Sequence, residues 1–192
     1  MAELPRGKKP TVSFSKDILA IDPGSKRSAY VIVQQCGQVV GEILDNFELI
    51  GRLRELPLRS LVPVIEMVSC YGLPVGKDVF TTVLWIGRFC QTIEDVIGNN
   101  KVTLLPRQRA KQVFYLGCNS NDSMIRYAII KLYGGKENAL GNKAAPGPLY
   151  HIHYDLWQAL ALAIAFDKLF LTAAKESGNM RTCKKKNQRN ML

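Results

Sequence analysis

Apolar runs that end in acids punctuate this chain. Asp17-Ile18-Leu19-Ala20-Ile21-Asp22 is unbroken and apolar between its two aspartates, the pattern of a strand buried on both faces. Pro23-Gly24-Ser25 then predicts a turn. Ala29–Val33 is a second β-rich run, and Gly37 supports a hairpin into a third over Val39–Leu44. Asn46 suits the cap of a helix to about Leu56, with Phe47, Ile50, Leu53 and Arg54 at helical spacing. Leu61-Val62-Pro63-Val64-Ile65-Glu66 predicts a fourth strand, again closing on an acid. Its Pro63 fits an edge or a strand start.

Met67 to Lys77 reads as a Gly-bearing loop. Asp78–Ile97 predicts a helix with Val79, Val83, Ile86, Phe89 and Ile93 on one side, ended by Gly98-Asn99-Asn100. Val102–Leu105 predicts a fifth strand. Two shorter helices follow over Gln108–Leu116 and Asp122–Tyr133, with Asp122 as a helix cap. Gly134 to Leu149 is rich in Gly, Pro, Asn and Lys and reads as a mobile loop. Asp155–Lys175 is apolar on most sides and predicts a buried helix. Three strands in succession, then strand–helix alternation, indicate an α/β fold with a mixed five-stranded sheet flanked by helices. Residues 17–176 form the expected domain. Residues 1–16 read as a flexible basic arm and 177–192 as a flexible basic tail.

Composition narrows the function classes. Hydrophobic residues make up 47% of the 192, too many for a disordered chain. No apolar run approaches the roughly 18 residues of a membrane helix, and the N-terminus lacks a secretory pattern, so a cytoplasmic protein without a membrane partner is expected. The five cysteines (Cys36, Cys70, Cys90, Cys118, Cys183) are odd in number and none pair at CxxC spacing, which suggests neither a disulfide framework nor a zinc site. Net charge is +10. The arm holds +3 and the tail +5, the latter through Arg181, Lys184, Lys185, Lys186 and Arg189. A polyanionic partner follows, chiefly through non-specific contacts.

Three acids stand out by position: Asp22 and Glu66 at strand ends, and Asp155 at the start of the last long helix. If the first and fourth strands are parallel neighbours, the first two project from one sheet edge, and a helix laid across the sheet can bring the third. Carboxylates so gathered repel and raise one another's pKa values unless a divalent cation joins them. Hard oxygen ligands in a compact site favour Mg²⁺ or Mn²⁺.

Ile18-Leu19-Ala20-Ile21-Asp22-Pro23-Gly24-Ser25 closely resembles the opening strand of RuvC-type Holliday junction resolvases, members of the RNase H-like superfamily. Val64-Ile65-Glu66 resembles their later acid-ended strand, and Asp155 with the Ala-rich run Ala159–Ala165 resembles the helix that closes their site. The resemblance spans roughly residues 17 to 170 in matching order. Tyr71–Gly76 and Trp85–Phe89 look like a phage or mobile-element branch. The resemblance implies an RNase H-like nuclease that cuts branched DNA as a dimer. Asp22, Glu66 and Asp155 would be catalytic metal ligands, with Asp22 bridging two ions. Where the family usually has a second helix acid, this chain has Gln158, so His151, His153 and Gln158 are candidate further ligands. Tyr71 and Lys77 on the loop, Arg107, Arg109 and Lys111 after the fifth strand, and Lys184, Lys185 and Lys186 in the tail are candidate DNA contacts. Phe80, Leu84, Trp85 and Phe89 suit either a dimer interface or the core.

Three rivals stand beside the resolvase. Gln158 favours a branched-DNA-binding protein that no longer cuts. An RNase H-like nuclease acting on flaps, forks or RNA hybrids uses the same acids. An actin-like or sugar-kinase-like phosphotransferase shares the Asp-x-Gly start, but 192 residues leave no room for its second domain.

Overall fold

Strand alternation decides which residues meet which layer. The structure is a computed structural model that describes residues 12–69, 74–98, 101–114 and 121–172. Within them β1 (Ile18–Asp22), β2 (Arg27–Val33), β3 (Val39–Asp45), β4 (Val62–Met67) and β5 (Thr103–Pro106) form a sheet of order β3-β2-β1-β4-β5. β1, β2 and β3 pair antiparallel in succession, whereas β4 runs parallel to both β1 and β5. β1 is therefore central, and the C-terminal ends of β1, β4 and β5 share one edge. β4 lies inside the sheet. Pro63 sits opposite Leu19, ahead of the point where β5 begins to pair at Val64, which is the strand-start alternative and not the edge.

On one face, Leu19, Ile21 and Ile65 pack against α1 (Asn46–Glu55) and α2 (Lys77–Ile97) through Leu49, Leu53, Phe89 and Ile93. On the other, Ile18, Ala20 and Val64 pack against α6 (Leu156–Phe166). α6 is buried along its whole length, and Ala159, Ala161, Ala163 and Ala165 let it lie close to its neighbours. α3 (Arg107–Val113) and α4 (Asp122–Leu132) cover it through Ala110, Ile125 and Ile129. No helix of the described residues is long and apolar enough to cross a membrane.

Several local expectations change. Asp45, not Asn46, caps α1, in a capping box with Glu48. The buried side of α2 is Thr82, Trp85, Ile86, Phe89, Thr92 and Ile93, so Val83 faces outward, rotated from the expected stripe. The Gly134–Leu149 stretch is folded, not a mobile loop. It contains α5 (Lys136–Ala139), and Ala139 and Leu149 are fully buried and joined by a backbone hydrogen bond of 2.8 Å. Its glycines make tight turns: Gly141 has φ +65 and meets the Ala145 carbonyl where a Cβ would stand. Packing also starts before Asp17. Phe14 is in the core, and the Ser15 N–H donates to Asp167 at 2.8 Å. α6 ends at Phe166 and passes into a π-helical turn over Asp167–Thr172. The rest of the expected helix, to Lys175, lies outside the described residues, as does the expected basic tail.

Asn46 is free for another task because Asp45 takes the cap. It is fully buried, and its amide donates to the Gly24 carbonyl at 2.9 Å. Its Oδ1 accepts from the Ser28 hydroxyl at 2.6 Å, and Ser28 Oγ accepts from the Gly24 N–H at 3.1 Å. These bonds fix the turn that leaves β1 just after Asp22. Gly24 is required there, since a Cβ would come 2.3 Å from the Arg27 carbonyl oxygen. Asn46→Ala strands the buried Ser28 hydroxyl and the partly buried Gly24 carbonyl and should cost about 1–3 kcal/mol. Urea denaturation is expected to show an earlier midpoint with an unchanged slope.

Candidate active site

Parity along the strands aims the two strand-end acids at the same layer. Asp22 follows Ile18 and Ala20 on the face toward α6, and Glu66 follows Val64 on that face. β1 and β4 are in register at Ile21 and Ile65, so the acids leave neighbouring parallel strands side by side. Both are partly covered, and the Glu66 side chain keeps 12% of its exposure.

Their electrostatics record that crowding. Burial raises the Asp22 carboxyl well above its usual range, and the Glu66 carboxylate raises it further. Arg107 opposes this, while Asp155 and Asp122 add to it. Burial likewise moves Glu66 from 4.5 up to about 7, with Arg107 and Lys111 pulling down and Asp122 pushing up. Asp22 thus feels Glu66, Asp155 and Asp122 together. Among the described residues no group of three His, Cys, Asp or Glu side chains yet converges closely enough to enclose an ion. The Asp22–Glu66 pair still fits a hard divalent cation. Mg²⁺ is commonly held by one or two carboxylates, its remaining positions going to water and substrate phosphate.

Asp155 stands at the N-cap of α6, yet its side chain makes no capping hydrogen bond. The expectation for Asp122 is reversed. Asn121 caps α4 by accepting the Met124 N–H at 3.1 Å, and Asp122 instead pairs with Arg107 at 2.5 Å. The same guanidinium lies 4.0 Å from Glu66. Sequence reasoning missed this bridge, because adjacent Asn and Asp at a helix start are both cap formers. Arg107 and Lys111 are one helical turn apart on α3 and both act on Glu66. Arg109 is exposed and reaches its own helix neighbour Gln112 at 3.5 Å, away from that pair.

Gln158 is buried one turn after Asp155 and lines a cleft of about 410 Å³ with Asp122, His153 and Asp155. His151 and His153 lie in a turn, not a strand, and are exposed. Lys77 opens α2 and is exposed. Tyr71, Lys184, Lys185 and Lys186 lie outside the described residues.

A carboxyl with a raised folded-state pKa takes up its proton more readily in the folded chain. Its stabilisation is complete below the unfolded value and lost as pH climbs through the folded one. Without metal, Tm should therefore fall between about pH 4.5 and 7 through Glu66. Glu66→Gln should flatten that fall, by roughly 2–4 °C for each kcal/mol relieved. Mg²⁺ added above that window should raise the wild-type Tm, since it binds the folded ionised pair. Calorimetry across pH, with and without Mg²⁺, checks both.

No family model matches the chain, and no curated protein sequence matches it. Solved structures do share its fold. The Thermus thermophilus RuvC structure aligns with TM-score 0.53 at 17% identity, over 78% of this chain and 92% of that one. T. thermophilus RuvC in complex with Holliday junction substrate aligns with TM-score 0.53 at 16% identity, over 78% and 91%. The architecture of this chain, a mixed five-stranded sheet flanked by helices, is the RuvC-like form of the RNase H-like fold.

Proposed function

We propose that this protein is a divalent-metal-dependent endodeoxyribonuclease that cuts branched DNA, with the Holliday junction as its principal substrate. The observation that carries the reading is the partly covered Asp22–Glu66 pair on adjacent parallel strand ends, under a helix led by the uncapped Asp155. The likeness of fold to RuvC, one structure of which holds a Holliday junction substrate, supports the choice of DNA.

Asp22 and Glu66 hold Mg²⁺ or Mn²⁺, and Asp155 joins them from α6. A cation held there would supply Lewis-acid activation of the attacking water and offset charge on the leaving oxygen. Lys111 and Arg107 face the same acids and bring positive charge to the phosphate oxygens. Gln158 supplies a neutral oxygen where a further acid is usual. Exposed Arg109 and Lys77, together with Tyr71 and the C-terminal lysines Lys184, Lys185 and Lys186, add DNA contacts, so binding weakens steeply with salt. The compartment proposed for this work is the cytoplasm of a bacterial or phage-infected cell, where such a cell keeps its DNA.

A four-way junction offers two symmetric strands, which calls for a homodimer. Two of the four apolar candidates on α2 are spent in the core, since Trp85 and Phe89 are buried. Phe80 is 66% exposed and Leu84 62%, one turn apart on α2, whose Trp85 meets the exposed Phe47 ring of α1 edge to face at 4.9 Å. That stripe is the proposed interface. The phage or mobile-element assignment rests on Tyr71–Gly76, because Trp85–Phe89 is accounted for by packing. Gln158, buried at the site in place of an acid, favours a second reading, a protein that binds branched DNA without cutting it.

The test compares a synthetic four-way junction, a fork and a linear duplex, each with Mg²⁺ or Mn²⁺. Paired nicking of the junction, reduced more than roughly 100-fold by Asp22→Asn, is the expected result. Equal cutting of fork and junction would move the substrate to branched DNA in general. Tight junction binding with no cutting in either metal would select the second reading. Leu84→Glu should convert a dimer to a monomer in light scattering with an unchanged circular dichroism spectrum; a wild-type monomer would remove the proposed interface.

A further inference from the structure

The segment before α6 displays rings that its own packing does not use. Tyr150, His151, His153 and Tyr154 are exposed around one buried anchor, Ile152. The rings meet edge to face, Tyr150 with His151 at 4.9 Å and His153 with Tyr154 at 5.2 Å. The His153 ring is steadied by its Nδ1, 2.7 Å from the His151 carbonyl oxygen. Tyr154 has φ +45, a left-handed conformation that is costly for a bulky residue, and its side chain is 81% exposed. A strained backbone that holds a large ring in water does nothing for stability. Such outliers concentrate where a ligand is held.

Two of these rings, His153 and Tyr154, line the cleft of about 410 Å³, within the usual range of about 300–1,000 Å³ for small-ligand sites and too small for a duplex. Tyr154 and Trp157 line it with aromatic surface, and Ser123, His153 and Gln158 with hydrogen-bonding groups. Asp122 and Asp155 at its wall repel a phosphate. Arg126, whose guanidinium lies 5.2 Å over the Trp157 ring, gives one basic group on the same lining. A planar, uncharged group with donors and acceptors on its edges, carried on an anionic backbone, matches this set. The cleft also shares Asp155 with the candidate active site, so a ligand in it adjoins the cutting position.

We infer that this cleft takes an unpaired nucleobase at the branch point, with Tyr154 as its stacking face. The inference rests on the branched-DNA reading above and assigns the base next to the cut. Extrusion of a base into such a pocket is easiest where pairing is already broken, so the cleft selects branched over linear DNA.

The experiment uses the full chain in EDTA, so that binding is read without cutting. A four-way junction and a linear duplex each carry 2-aminopurine, at the branch point or at the equivalent paired position. Wild type and Tyr154→Phe should quench the junction probe and leave the duplex probe unchanged. Tyr154→Gly should abolish the quenching and weaken junction binding by roughly fivefold to a hundredfold, the range for loss of one base–aromatic stack. Its duplex affinity should not change, and its Tm should not fall, because glycine accepts the left-handed φ without strain. Quenching that persists in Tyr154→Gly, no quenching in wild type, or an equal loss of junction and duplex affinity would each overturn the inference. The two readings fail separately. Tyr154-dependent quenching in a protein that cuts nothing with Mg²⁺ or Mn²⁺ removes the nuclease and keeps the cleft, whereas junction cutting with quenching indifferent to Tyr154 does the reverse.

Discussion

Two carboxylates on neighbouring strand ends, both turned toward a buried helix, set the terms for everything around them. Water cannot fully solvate Asp22 and Glu66 there, and each makes ionisation of the other harder. A fold tolerates such a pair only if its geometry is over-determined and its charge can be met. The register of β1 and β4 supplies the first, together with the Gly24–Ser28–Asn46 hydrogen bonds that fix how the chain leaves β1. Arg107 and Lys111 on α3 supply part of the second.

Arg107 shows how that compensation is shared. Its guanidinium spans Asp122 on α4 and Glu66 on β4, tying the helical cover to the sheet. Such a bridge is worth little as a surface ion pair. Beside two covered acids it matters more, because removing it leaves their charge uncompensated. The cover over the acids is thus held partly by the charge it covers. A change at α3 or α4 is felt at Glu66 without touching it.

Much of this could be read from the chain before any coordinates. The apolar runs ending at Asp22 and Glu66 have one reading as buried strands, and the Ala-rich run after Asp155 has one reading as a helix laid close on a sheet. Where the order of elements sufficed, the five strands and main helices followed. Pairwise facts did not. Asp45 and Asn46 are both cap formers, as are Asn121 and Asp122, and only the tertiary partner tells which caps and which is released for other bonds. The exposed half of α2 was hidden for a related reason. Phe80, Leu84, Trp85 and Phe89 are all apolar, and the sheet, not their periodicity, decides that the second pair is buried. The Gly134–Leu149 stretch misled because Gly and Pro mark tight turns as readily as loose chain, and the buried Ala139 and Leu149 that anchor it are too few to show a period.

The opposite edge of the sheet shows that the acid cluster is not a general property of strand ends. There, at the start of β4, a cavity of about 360 Å³ is lined by Leu58, Leu61, Val62, Pro63 and Ile97, with Arg59 and Lys101 as its charged groups. It is close in size to the cleft beside Asp155 but contains no carboxylate. That edge carries an acid too, Asp17 before β1, but a single one that accepts the Gln35 N–H at 2.8 Å, whereas the other edge gathers several crowded acids. Nothing in strand geometry demands that difference, since a parallel strand can begin with an acid as easily as end with one. Acids are concentrated where they repel most and where α6 limits their contact with water. The folded chain is less stable for it when the acids are ionised and uncompensated, and that is the cost the proposed divalent cation would offset.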